Sequence, residues 1–203
     1  MAERIVLRNC EAIDPKDIAS YLQRGGFQAL RKARKMGPDG VIAEIKASNL
    51  RGRGGAGFPT GAKWELARKS PGEEKYVICN ADEGEVGTFK DRYIIQYDPF
   101  SLLEGIGIAA YAVGAKKAYI YLRAEYRYLS DGLKGAVDQA AAKGLLDLPI
   151  KIQEGAGAYV CGEESALMNS IEGKRGEARF RPPFPRRPAS SAHPPSSIMS
   201  KPS

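Results

Sequence analysis

Three short segments concentrate the residue types that do chemistry. The first, RGRGGAGFPTGAKW at residues 51–64, carries Gly52, Gly54, Gly55, Gly57 and Gly61 together with Arg53 and Lys63. Glycine has no Cβ, so a backbone of this composition can approach a flat ring or a phosphate closely, with two cations beside it. Gly52, Gly54 and Gly57 satisfy G-x-G-x-x-G literally. However, a helical stretch precedes them and Pro59 interrupts the helix that should follow, so a standard dinucleotide fingerprint is rejected. Phe58 and Trp64 argue against a mobile linker, a composition that rarely carries two large aromatics.

The second segment, CNADEGEVGTFKDR at 79–92, places Asn80, Asp82, Glu83 and Glu85 within six residues. Crowded carboxylates have raised pKa values unless cations or hydrogen-bond donors compensate. Three readings stay open here: a divalent-metal site, recognition of ribose or flavin donor groups by the carboxylates and the amide, or a solvated acidic turn. The third segment, EGAGAYVCGEESALMNSIEGKRG at 154–176, is a glycine-rich turn feeding a helix that starts near Gly162 or Glu163, with Leu167, Met168 and Ile171 on its apolar face. A helix N-terminus receives anionic or polar ligands. Glu163 and Glu164 also suit the helix dipole on purely structural grounds. Cys161 has no histidine near it in sequence and is not expected to be a nucleophile.

The elements around these segments predict an α/β fold. KYVICN at 75–80 reads as a buried strand, residues 98–115 as a long apolar helix with Asp98 before a proline, and KAYIYL at 117–122 as a second strand. YRYLSDGLKGAVDQAAAKGLL is helical and IKIQEGAG begins as a third strand. Strands alternating with helices of this length pair in parallel through right-handed crossovers, and ligands bind at the carboxyl ends of such strands. The second and third segments both follow such ends. Upstream, RIVLRN at 4–9 reads as a short strand, and Asp14-Pro15 opens a helix into DIASYLQ. FQALRKARK is helical, and Asp39 caps a further helix, VIAEIKASNL, so residues 1–50 form a helical lead-in.

Composition narrows the chemistry. With 203 residues and 43% apolar content the chain can bury a sizeable core. There is no run of 18 apolar residues and no signal-peptide pattern, which predicts a soluble intracellular protein without a membrane span. The net charge is +7, but Arg186, Arg187 and Lys201 supply three of those charges and without them the balance is +4. The remaining Lys and Arg residues are interleaved with acids, so nucleic-acid binding is not expected. Cys10, Cys79 and Cys161 form no C-x-x-C pair, and no metal site is assigned. The sole histidine, His193, stands in a proline- and serine-rich tail, which removes Ser-His-Asp and Cys-His catalysis.

In this order and spacing the segments resemble the NADH-binding flavoprotein subunit of respiratory complex I and its relatives in NAD-linked hydrogenases and formate dehydrogenases. GRGGAGFPTG-x-KW is met at 52–64, CNADE-x-E-x-G-x-FKDR at 79–92 and GAGAY-x-CGEE at 155–164, followed by SIEGKRG and RPPFP. Residues 4–185 carry the resemblance. It implies a Rossmann-like FMN-binding domain over 51–185, with NADH stacked on the flavin in one cavity. On the FMN side it implies Gly52, Arg53, Gly54, Gly55, Gly57, Lys63, Asn80, Asp82, Glu83, Tyr159, Gly162 and Glu163. On the NADH side it implies Phe58, Glu85, Glu164, Arg181 and Phe184. Hydride would pass from NADH to the flavin and single electrons onward to iron-sulfur clusters and quinone, with no protein acid or base required. The implied partners are other subunits of a complex I-type peripheral arm, especially a small [2Fe-2S] thioredoxin-like subunit. The implied location is the cytoplasmic face of a bacterial inner membrane. Two positions depart from the pattern: Val86 stands where a proline is usual, and Leu66 where some relatives carry an aromatic.

The family continues beyond RPPFP into an N-N-V-E-T segment and a helical domain whose four cysteines bind a [4Fe-4S] cluster. Neither the segment nor the cysteines stand in this sequence, so the iron-sulfur domain is expected to be absent and flavin retention weak. Residues 186–203 read as a disordered tail. Back-translated and shifted by two bases, Pro185–Pro202 can encode AAAGLFGPPTIINNVET, and Met199 before a TCN serine forces the valine. A base missing at the Pro185 codon is therefore expected.

Overall fold

The computed structural model describes residues 5–53, 57–72, 74–178 and 198–201. At its centre is a sheet of order β3-β2-β1-β4, built from β1 (Glu74–Ala81), β2 (Lys117–Leu122), β3 (Ile150–Glu154) and β4 (Ile198–Lys201). The first three strands are parallel. Their positions follow the sequence reading, because Val, Ile and Tyr at alternate sites suit a pleated surface buried on both faces. β4 pairs antiparallel with the outer edge of β1, Val77 opposite Ile198, within the segment read from sequence as a disordered tail.

Period-two alternation divides the strand side chains between two cores. Val77, Ala81, Ala118, Ile120 and Leu122 face the larger core, with Phe100, Leu103, Ala110 and Val113 of α5 (Pro99–Val113) and Leu133, Ala136 and Ala140 of α6 (Ser130–Ala142). Ile78 and Tyr121 face the other side, covered by Cys161 and by Leu167 and Met168 of α7 (Glu164–Ile171). Both crossover helices, α5 and α6, lie on one face, as right-handed connections between successive parallel strands require. Asp98 caps α5 through the Ser101 amide, ahead of Pro99 in the first turn.

The N-terminal region corrects several expectations. Residues 5–9 are turns and bends rather than a strand, and they pair with no strand of the sheet. Asn9 is instead buried, its amide donating to Asp98 Oδ2 at 3.0 Å. Helix α1 (Ile18–Gln23) is capped by Asp17, not opened by Asp14. The two expected helices downstream form one kinked helix, α2 (Gln28–Ala47), bent at Gly37 and Pro38. Proline removes one helical hydrogen bond there and Gly37, at φ 76°, absorbs the turn. Asp39 does not cap; its carboxylate takes the Arg68 guanidinium at 2.9 Å.

The lead-in is fastened to α5 by Glu104, a buried carboxylate that accepts from the Tyr21 hydroxyl at 2.5 Å, the Phe27 amide at 2.8 Å and the Leu30 amide at 2.9 Å. It thus caps the α2 N-terminus, where Phe27 sits in the left-handed region at φ 60° and offers no side-chain oxygen of its own. Burial, followed by the Glu104 hydrogen bond, pushes the Tyr21 hydroxyl pKa upward. No helix among the described residues is long and apolar enough to cross a membrane.

Candidate functional site

The registers bring Ala81, Leu122 and Glu154 level across the sheet. The chain therefore leaves the three parallel strands side by side, at Asp82, Arg123 and Gly155. The backbone ladder runs one step further, Arg123 N donating to Ala81 O at 3.2 Å and Gly155 N to Leu122 O at 2.8 Å. The second and third segments of the sequence reading meet here, at the carboxyl edge where α/β sheets bind ligands.

Their contacts are specific. The Asn80 amide donates to Gly162 O at 2.9 Å, while its Oδ1 accepts the Asp82 N–H at 3.1 Å. Gly162 lies directly by Asp82; a Cβ added there would stand 3.6 Å from Asp82 O, an ordinary contact. Gly84 is more constrained, because a Cβ would come within 2.7 Å of the Tyr159 ring. The Tyr159 hydroxyl in turn donates to Glu85 Oε1 at 2.6 Å. Asn80, Asp82, Glu85, Tyr159 and Gly162 thus form one cluster.

Asp82 is its open valence. Among the described residues its Oδ2 is buried and accepts no hydrogen bond. Desolvation raises its pKa, with the Arg123 charge opposing and Glu125 adding to the rise. A buried acceptor without a donor costs about 1–3 kcal/mol, which a ligand hydroxyl or N–H would recover.

Two of the expected ligand-facing carboxylates have structural partners within the chain. Glu83 is buried, accepting from Asp91 N at 2.9 Å, Arg92 N at 3.4 Å and the Tyr126 hydroxyl at 3.0 Å, with the Lys90 ammonium 3.7 Å away. It caps α4 (Lys90–Tyr97), a helix the sequence reading did not anticipate. Desolvation works to raise the Glu83 pKa, but those donors and Lys90 outweigh it and the net shift is downward. Glu163 caps α7, accepting from the amides of Ser165 and Ala166. Glu164 begins that helix and is half-buried.

The described flanks of the glycine segment meet at a bridge between Arg51 and Pro59, with Gly52 N donating to Phe58 O and Thr60 N to Leu50 O, both at 2.9 Å. Gly57 takes φ 60° and its carbonyl accepts from Arg51 at 3.1 Å. Pro59 does not interrupt a helix: it stands at the N-cap of α3 (Thr60–Lys69), which holds Lys63. Gly61 serves packing, since a Cβ there would lie 2.7 Å from Lys46 N on α2. Trp64 is half-buried against the core, whereas Phe58 and Leu66 are exposed and Arg53 lies on the surface. Gly54, Gly55, Arg181 and Phe184 lie outside the described residues.

Sequence reasoning missed Arg123 and Tyr126. Arg123 directly follows the strand KAYIYL, so the strand-end rule that selected Asp82 would also have selected it. Among the described residues no three His, Cys, Asp or Glu side chains gather as a metal cage. Asp82, Glu83 and Glu85 go to different surroundings. Burial pushes the Cys79 thiol up to about 12, and Cys161 is buried under α7.

Residues 45–189 match the family model described as the Nuo51 FMN-binding domain. The chain belongs to this FMN-binding family. It is 48% identical over 195 residues to an NADH-quinone oxidoreductase subunit of Rhizobium meliloti (strain 1021), covering 91% of this chain and 46% of that protein. It is 54% identical over 177 residues to an NADH-quinone oxidoreductase subunit of Aquifex aeolicus (strain VF5), covering 83% of this chain and 41% of that one. A solved structure, the NAD+-reducing [NiFe]-hydrogenase in the air-oxidized state, superposes with a TM-score of 0.77 at 42% identity, over 95% of this chain and 32% of that chain. The chain therefore spans less than half the length of these relatives. The Nuo51 relationship supports the α/β FMN-domain architecture expected from sequence.

Proposed function

We propose that the Asp82 cluster and the glycine loop form the flavin-facing part of an NADH-oxidising flavoprotein subunit, with residues 51–185 as the binding unit. Asp82 Oδ2, just after β1, buried and without a donor among the described residues, carries this reading. It asks for a donor, and the ribityl hydroxyls and ring N–H of FMN are donors. FMN, when bound, accepts a hydride and passes electrons on singly.

The chain's own residues bind and orient. Asp82 accepts from the flavin, Asn80 keeps the Gly162 turn against it, and Gly52, Arg53, Gly54, Gly55, Gly57 and Lys63 approach it from the glycine loop. Glu83 and Glu163 act through the helices they cap, holding the loop after β1 and the turn before α7. Glu85, with Tyr159 donating to it, and Glu164 offer acceptors to the hydroxyl and amide groups of NADH. Phe58 and Phe184 offer aromatic faces to its rings and Arg181 a cation. Onward transfer to iron-sulfur clusters and quinone, with a small [2Fe-2S] thioredoxin-like partner at the cytoplasmic face of a bacterial membrane, belongs to this proposal. The hydrogenase resemblance supports a second reading, a diaphorase subunit of an NAD-linked hydrogenase, in which the same site serves another acceptor.

Titrating FMN into the chain tests the site. Flavin fluorescence is expected to be quenched saturably, and Asp82→Asn is expected to weaken binding about tenfold. Absence of quenching, or an unchanged Asp82→Asn titration, would overturn it. NADH-dependent ferricyanide reduction by the FMN-supplemented chain tests the activity.

A further inference from the structure

Arg123 binds three things at once at the end of β2. Its Nε and Nη2 donate to Glu125 Oε2 and Oε1, each at 2.8 Å, a bidentate pair that fixes the guanidinium plane. Its Nη1 donates to the Glu83 carbonyl. Its guanidinium lies 5.8 Å from the centroid of the Tyr126 ring, whose hydroxyl returns to Glu83 Oε2 at 3.0 Å. The loop carrying Asp82 is thereby tied to β2 through both the backbone and the side chain of Glu83.

We propose that Arg123 is a positioning residue of the ligand site: it anchors the Asp82–Gly84 stretch to the end of β2 and holds the neighbouring Asp82 carboxylate in its charged, accepting form. This rests on the reading of Asp82 as a ligand acceptor. Half-burial disfavours a charged Asp82, and the groups that bear on it are Arg123 and Glu125 after β2 and Tyr121 within β2. Of these Arg123 alone is a cation. Without it, desolvation and Glu125 act unopposed, and a neutral Asp82 at moderately acid pH no longer offers two accepting oxygens. The Glu125 fork keeps Arg123 in place, which a lysine ammonium, a point charge on a flexible stem, would do less well while still supplying the charge.

Carbon-13 NMR of labelled aspartate, following the Asp82 carboxyl against pH without any flavin, separates this role from a merely structural one. In Arg123→Gln the Asp82 midpoint is expected to move to higher pH, and in Arg123→Lys to return toward the wild-type value. An Asp82 midpoint equal in wild type and Arg123→Gln would overturn the proposal. Should Arg123→Gln fail to fold, salt titration of the wild-type chain decides. Screening raises the midpoint if a cation holds it down and lowers it if Glu125 dominates, so a fall would overturn the proposal. FMN titration of the same variants adds a separate arm, with affinity expected to drop about tenfold in Arg123→Gln. A wild-type chain that binds no FMN would count against the flavin reading alone, leaving Arg123 to be judged by the Asp82 midpoints.

Discussion

The Tyr159 hydroxyl donates to Glu85 Oε1 across 2.6 Å, joining two segments separated by more than seventy residues. Its ring rests on Gly84, where an added Cβ would come within 2.7 Å of it. The glycine therefore sets where the tyrosine lies, and the tyrosine sets where Glu85 points.

Gly84→Ala is expected to push the ring from this position and break the Glu85 hydrogen bond. The hydrogen bond to Glu85 is the leading cause of the raised Tyr159 pKa. The variant's Tyr159 should accordingly titrate closer to an ordinary tyrosine, which NMR of its ring carbons would show, while NADH affinity falls.

Glu83 predicts an acid-side loss of order. Its folded pKa is depressed below the ordinary value of 4.5, so its contribution is present above that value and fades as pH falls through the folded pKa. Amide protection over residues 79–97, taken against the intrinsic exchange rate at each pH, should fall there in the wild type. In Glu83→Gln it should be low already at neutral pH.

Glu104→Ala removes the acceptor of three donors, two of them orphan amides at the start of α2. Each buried donor left unsatisfied costs about 1–3 kcal/mol, so a loss of roughly 3 kcal/mol or more in denaturant unfolding is expected.

Gly61→Ala places a methyl group against the Lys46 backbone at 2.7 Å. Backbone cannot swing aside as a flexible side chain would, so α2 and α3 must separate, at a cost of about 1–3 kcal/mol. Thermal unfolding measures it, and because α3 carries Lys63, FMN affinity should fall alongside.

The strands and the crossover helix were legible because their signals are local. Residues 117–122 alternate between two buried faces, and Asp98-Pro99 announces the start of α5. Helix α4 was not legible, since its cap is Glu83, seven residues before its first turn and buried by a tyrosine from another strand end. The N-terminal strand failed for the opposite reason: RIVLRN has strand-like composition, but no edge of the sheet receives it.

For the site, residue types and spacing alone identified the three segments and the carboxyl ends that would carry them, because glycine content, acidity and strand termination are properties of short stretches. Which carboxylate keeps an open acceptor among the described residues was decided only in three dimensions. Asp82, Glu83 and Glu85 stand within four residues of one another, yet among the described residues one is left without a donor to its buried Oδ2, one caps a helix and one receives a tyrosine. That division depends on donors brought from β2 and from the turn before α7, and hydrogen bonds between distant segments exist only once the chain has folded.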